Sequence, residues 1–486
     1  MAAVPPAKIS YINKTYEDER RELLSLAPII SNGTWTDLNN AELLVALTEL
    51  LLGSSDMFRF YFDHQANEAF LPNARERKNV IAHCNQIGHR IKSWSAAVGS
   101  VSVKLNKNII GYISIPQYTK LWSAFGLPYY TTTETFLSDG LPFAEIPLRQ
   151  GDIKVVSYIS NGTANQKFLI NSNTIAELSI DVRVDGQLWS FVEDNFIKSG
   201  PNSTNFLLET ISNGNMYIIF GDNNSGKIPF LNSQIEITYA DTQGPLGNIE
   251  ENQIIRFDVP NDYIGIIYST PFSGGAVPET IEQAKQLGPM LLRSVWKGTT
   301  KEDVISLTED YPGVKQASVL DINDFPLYSF KIGYHETWVV VIPENDGPMS
   351  DIMKSSIQSY LEERKYVTNN IQVIDAEYIS VDIDVTIYKK KEFDQQVIES
   401  NTVDSINELF KIARSPIASY KMQGYVDGLV LGEDFRYSQL VYTIQSIPGV
   451  AYIELSTPTS DISMNYQQIP ILGELRINVL ESEGLI

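Results

Sequence analysis

The run Gly221-Asp-Asn-Asn-Ser-Gly226-Lys227 follows the apolar stretch Tyr217–Phe220 and reproduces the first seven positions of a phosphate-binding loop. Such a loop needs Ser or Thr after the lysine to hold Mg²⁺, and a helix whose N-terminus faces the phosphates. This chain has Ile228-Pro229 there, leading to a further strand, so the run is expected to be a structural turn. The same segment resembles half of a Ca²⁺ loop, but its twelfth position is Ser233 and the bidentate Glu is missing. His83, Cys84 and His89 lie within seven residues. On a helix Cys84 falls on the apolar face, His83 lies about 100° away, and His89 comes after Gly88, so three metal ligands do not converge. His64 and His335 have no acidic or cysteine neighbours at ligand spacing. Acidic pairs such as Glu433-Asp434, or Asp382 with Asp384, could imitate a glycosidase carboxylate pair, yet 59 acids make such pairs by chance. Neither a Gly-x-Ser-x-Gly elbow nor a His-Glu-x-x-His pair occurs. No catalytic, cofactor or metal site is expected.

The elements that would carry any site divide the chain into four regions. Residues 1–98 read as helical: Tyr16 to Leu26 as a polar arm, Asn39-x-x-Glu42 as a capping box, then Leu44, Leu47, Leu51, Phe58 and Tyr61 at spacings of mostly three and four. Asn73-Ala74 opens a second helix with Val80, Ile81, Cys84 and Ile87 on one face and Gly88 as its stop. A helical hairpin results, and because its apolar seam cannot be buried by two helices alone, Leu44, Leu47, Leu51, Phe58 and Tyr61 are candidate interface residues.

From residue 99 to 272 the period changes to two, as in Ile153–Ile159 and Ile235–Tyr239, and Asp185-Gly186 between two short strands signals a tight hairpin. Gly274-Gly275 before Pro278-Glu279 marks a candidate hinge and the start of a helix. Beyond it a unit repeats: a helix, Pro312-Gly313-Val314 and a strand, then a helix, Pro448-Gly449-Val450 and a strand. Two α+β modules, 273–390 and 391–486, are expected, with Ile371–Ile374 and Tyr378–Tyr388 as paired strands. The fold class is multidomain α+β.

A formal charge of −22 argues against binding nucleic acid or an anionic membrane, since both require basic patches. The apolar runs are too short to span a bilayer. The single cysteine, Cys84, excludes an intrachain disulfide, and no signal peptide is evident, so assembly in the cytoplasm is expected.

Four blocks resemble the baseplate J-like wedge proteins of contractile phage tails and related injection systems. They are Trp35-Thr-Asp with Tyr61-Phe62-Asp63, Asn67 to Leu71, Arg75-x-Arg77 and Ile87-Gly88-His89; Phe220-Gly221-Asp222 through Gly226 and Pro229; Gly244-Pro-Leu-Gly247-Asn248; and Gly274-Gly275 through Thr299-Thr300-Lys-Glu-Asp303. Phe220, Gly221, Asp222, Gly226, Gly247 and Asn248 read as its motif turns. The resemblance implies a structural baseplate subunit without a cofactor, present as two copies per wedge in the virion. It further implies a helical core bundle shared with other wedge proteins, C-terminal modules that pair with the next copy in a ring around the tail hub, contacts to sheath-initiating proteins, and rearrangement when the sheath contracts. A tailocin or bacterial injection-system subunit is the near alternative, and a tail enzyme or host-binding adhesin the distant one.

Overall fold

The computed structural model describes residues 14–39, 42–193, 196–211, 213–258, 262–294, 297–324, 333, 335–413 and 428–481. The fold is α+β with several sheets, arranged as two compact units: Met1–Ile91 with Ile281–Lys285, and Lys92–Thr280 with Gln286–Ile486.

The first unit is helical. Helix α1 (Tyr16–Ile30) is capped by Thr15 and Asp18 in a reciprocal box. It packs on α2 (Leu43–Glu68): Leu24 and Ala27 of one helix and Val45 and Leu52 of the other are buried, and Arg20 pairs with Glu49 at 2.8 Å while Arg59 pairs with Glu19. The segment expected as a solvated or partner-facing arm therefore packs on α2 of the same chain. The capping box at Asn39 does not form. Glu42 is itself the cap, its carboxylate accepting from the Leu44 amide at 2.6 Å and the Val45 amide at 3.1 Å.

The second helix of the expected hairpin starts later, as α3 (Arg77–Gln86), and stops at Gly88 with φ of 83°. Its core consists of Ala74, Val80, Ile81, Cys84 and Ile91 with Ala284, flanked by Leu71 and Ile281, and includes no residue of the α2 seam. Helix α2 is apolar around most of its circumference, so periodicity could not say which stripe turns inward.

In the second unit a six-stranded sheet contains Val98–Leu105, Phe143–Gln150 and Ile264–Ser269 as neighbours. Between its strands Phe143–Gln150 and Ile254–Phe257 the chain leaves to build a complete seven-stranded sheet from Asp152 to Asp241. Each sheet has its own core, one around Tyr129, Ile146 and Phe272, the other around Trp189, Phe206 and Phe220. The Asp185-Gly186 turn has φ of 49° and 81°, and Val184 faces Gln187, as a two-residue hairpin requires.

Helices α4 (Ile281–Ser294), α5 (Lys301–Glu309) and α6 (Asp351–Glu362) accompany a sheet of Val314–Leu320, Glu336–Pro343 and Asn370–Asp375. Helices α7 (Gln395–Leu409) and α8 (Tyr437–Gln445) accompany a sheet of Val450–Thr457, Glu377–Lys389 and Gln468–Glu481. In both sheets the strand after the Pro-Gly turn runs antiparallel to the central strand, and the third strand runs parallel to it. Elements and pairing repeat, but chain order does not. The strands Asn370–Asp375 and Glu377–Lys389 are not partners as the sequence suggested: the chain changes sheets at Ala376. Adjacent apolar runs with a one-residue break look like a hairpin in sequence, but each pairs parallel to a remote strand.

Candidate functional site

The sequence-predicted interface residues lie on one side of α2 and all are exposed: Leu44, Leu47, Leu51, Phe58 and Tyr61. Stepping by 100° per residue, they share an arc of about 140° with Leu43, Leu50, Met57 and Phe62, centred roughly opposite the Val45–Leu52 stripe that α1 covers. An arc that wide exceeds the stripe one packed helix normally covers. Among the described residues no helix is long and apolar enough to cross a membrane.

Glu68, which closes α2, has a role that sequence reasoning missed. Its buried carboxylate accepts from the amides of Arg75 at 2.8 Å and Glu76 at 3.2 Å and from the Asn79 side chain at 2.8 Å, while His83 Nε2 lies 2.9 Å from its carbonyl oxygen. It supplies the cap that α3 lacks, because Glu76 at the N-cap position makes no side-chain capping bond. Burial pushes the Glu68 carboxyl up, but the hydrogen bonds from Asn79, Arg75 and Glu76 outweigh it and leave the group below its ordinary value. An acid nine residues before a helix start, across a loop, carries no local capping signature.

At the glycine-rich turn the amides that would cradle a phosphate are already bonded. Asp222 accepts from Asn224 at 2.9 Å and Ser225 at 2.7 Å; the Asn223 amide donates to the Gly226 carbonyl, Gly226 to Gly200, Lys227 to Ser203, and Ile228 to the Asn223 side chain. Those two amide bonds, Ser225 first, hold the exposed Asp222 carboxyl below its usual value. A Cβ on Gly221 would overlap the Ser225 and Gly226 carbonyls, and the Lys227 ammonium rests 4.9 Å from the Phe230 ring centroid. Phe220, at the head of the motif, is a core residue of the seven-stranded sheet.

Gly247, Asn248, Gly274 and Gly275 are brought together in the second unit. The Asn248 side chain bonds both polar groups of Gly275, donating to its carbonyl at 2.9 Å and accepting from its amide at 2.8 Å. Ser95 Oγ donates to the Gly274 carbonyl at 2.7 Å, and Ser350 joins the cluster by bonding Val98 and Ser273. Gly274 has φ of 86° and a Cβ there would sit 3.0 Å from Met353 Sδ. The pair expected as a hinge is buried, with the Gly274 carbonyl and both polar groups of Gly275 bonded, so in this conformation the glycines permit close backbone packing. Sequence could not distinguish the two uses, because both favour a missing side chain.

Cys84 is buried with its sulfur 3.9 Å from the Ala284 carbonyl, His64 lies 3.8 Å from Glu76, and among the described residues no three His, Cys, Asp or Glu are grouped to hold a metal. Asp382 accepts from the Glu474 amide at 2.8 Å. Asp384 lies two residues on along the same strand, in register with Arg476.

No curated protein matches the chain. Several solved structures are similar to it, among them two from baseplate assemblies. One, from the cryo-EM structure of the anti-feeding prophage baseplate, is 14% identical over 97% of this chain and 95% of that one, with a TM-score of 0.33. The other, from the type VI secretion system TssK-TssF-TssG baseplate subcomplex, is 8% identical over 68% and 96%, with a TM-score of 0.27. The family model for the baseplate J-like protein C-terminal domain matches residues 381–478, the stretch from within the strand Glu377–Lys389 to near the end of Gln468–Glu481. Over its last sheet and the two helices that cover it, the chain matches the baseplate J-like family to which the sequence motifs pointed.

Proposed function

We propose that this chain is a structural, non-enzymatic subunit of the baseplate of a contractile tail or injection apparatus. The match of residues 381–478 to the baseplate J-like C-terminal domain carries the reading. The outer arc of α2 supports it, because a chain whose first long helix leaves nine large apolar side chains of one arc in water is built to be covered by other proteins. In this reading α1 and α2 enter a helical bundle with other baseplate wedge proteins, and the C-terminal sheets meet those of a second copy to close a ring around the hub. The assembled ring rearranges on sheath contraction.

The test is cryo-EM of particles assembled in cells carrying the wild-type gene or Leu47→Asp. The reading expects wild-type density for this chain in the baseplate with α2 inside a bundle, and sheathless or baseplate-free particles from the variant. Wild-type particles without the chain, or normal baseplates from the variant, would contradict it. Packaged nucleic acid in the particles marks a virus and its lack an injection machine or tailocin.

A further inference from the structure

The seven-stranded sheet ends on the strand Asp152–Ile159, which pairs only with Gln234–Asp241, so its second edge is open. The side chains of Val156 and Tyr158 turn to the core. Val155, Ser157 and Ile159 stand on the other face and are exposed, Val155 by 54% and Ile159 by 71%. Two bonds beside the strands fix the backbone direction: the Ser160 amide donates to the Ser233 carbonyl, and the Asp185 amide to the Gln234 carbonyl, both at 2.9 Å. Antiparallel pairing alternates, so residues 154, 156 and 158 direct their amides and carbonyls to Gln234–Asp241, and those of residues 155, 157 and 159 point out from the open edge. The devices that normally guard such an edge are missing. The strand has no proline, its register shows no bulge, and its two charges are engaged, Lys154 with Asp241 and Asp152 with Lys120 at 2.7 Å. The edge strand Gln468–Glu481, by contrast, carries exposed Glu474 and Arg476 and a break in register beside Gly473.

We infer that this edge is a pairing surface for the same strand of a second copy of the chain, antiparallel about a two-fold axis at Ser157. With the axis there the strand is complementary to itself. Val155 faces the partner's Ile159 and Ile159 the partner's Val155, two β-branched pairs on the outer face, while Val156 faces the partner's Tyr158 on the other. Residues 155, 157 and 159, which meet across the axis, are the ones whose backbone groups are unpaired, and each of their three pairs exchanges two N–H···O bonds. Lys154 comes opposite the partner's Ser160, so no like charges meet. The two sheets then continue as one across the axis, the isologous arrangement that a two-fold requires. A strand pair of this length is smaller than a standard interface, so the contact is weak in solution and adds to others in an assembly. It uses neither the α2 arc nor residues 381–478, and stands whether or not the chain belongs to a baseplate.

Cross-linking of the full-length chain at high micromolar concentration tests this, using Ser157→Cys and a short bis-maleimide. Cys84, the chain's own single cysteine, is buried, so the wild type is the blank. Ser157→Cys is expected to give a covalent dimer. Ser190→Cys, exposed on the same sheet but three strands in from the edge, is expected to give none. Adding Val155→Lys and Ile159→Lys to Ser157→Cys sets lysine against lysine across the axis and should lower the dimer yield on the order of tenfold. Both lysines replace exposed residues, and unchanged amide exchange in residues 234–241 shows that the sheet is intact. In the wild type, exchange at residues 155, 157 and 159 should slow as concentration rises. No dimer from Ser157→Cys, equal yields from Ser190→Cys, or a yield that the two lysines leave unchanged in an intact sheet would overturn the pairing.

Discussion

Two leucines on α2 separate what holds the chain together from what it offers to partners. Leu52 is 3% exposed, on the stripe covered by α1; Leu47 is 48% exposed, on the outer arc. Truncating Leu52 to Ala removes a packed side chain and should cost the isolated chain about 2–5 kcal/mol in the α1–α2 pair. Leu47→Ala should change the isolated chain by no more than about 0.5 kcal/mol, as for most surface positions. In the assembly the order changes. Half of the Leu47 surface remains to be buried, and at about 1.5–3 kcal/mol for full burial its loss weakens association by roughly 1 kcal/mol. Leu47→Asp adds the desolvation of an unpaired carboxylate, several kcal/mol on the usual scale, which should abolish co-purification at micromolar concentration. Thermal melts of the isolated variants and size-exclusion chromatography after co-expression with the other baseplate proteins give the two readouts. The reasoning fails if Leu47→Asp melts the isolated chain as severely as Leu52→Ala, or if the complex elutes unchanged with the charge in place.

The turn at Gly221–Lys227 should show no saturable ATP–Mg²⁺ binding by equilibrium dialysis; binding that disappears in Lys227→Ala would reverse the assignment of its amides to Asp222 and neighbouring carbonyls. Asn248→Ala strips both polar groups of Gly275 of their partner and should cost about 1–3 kcal/mol. Gly275→Ala should cost more, because its Cβ would overlap the Gly244 carbonyl, and chemical denaturation ranks the two. Glu68 lies below its ordinary value of 4.5, so its stabilising contribution is complete above that value and lost as pH falls through the lower, folded one. Helix α3 should therefore loosen in wild type as pH falls below the ordinary value of 4.5 and through the lower folded one, whereas Glu68→Gln removes that acid-side step in amide exchange of residues 77–86.

The chain's own residues determine the local elements. Asp185-Gly186 makes its hairpin because two consecutive positive φ values suit Asp and Gly, and Pro312-Gly313 and Pro448-Gly449 each end a helix and start a strand. The Phe220 motif and the apolar face of α3 were legible for the same reason: turn chemistry and periodicity act within a few residues. Partnership was not legible. Nothing in the order of residues says that α2 packs on α1, that Asn370–Asp375 and Glu377–Lys389 join different sheets, or that Asp152 to Asp241 closes into a sheet of its own. Those choices depend on contacts between residues distant in sequence, where several apolar stripes compete for the same cover. The two glycines at 274 and 275 illustrate the limit most sharply: a missing side chain permits both freedom and close approach, and only the arrival of Asn248, Ser95 and Met353 from other elements selects close approach.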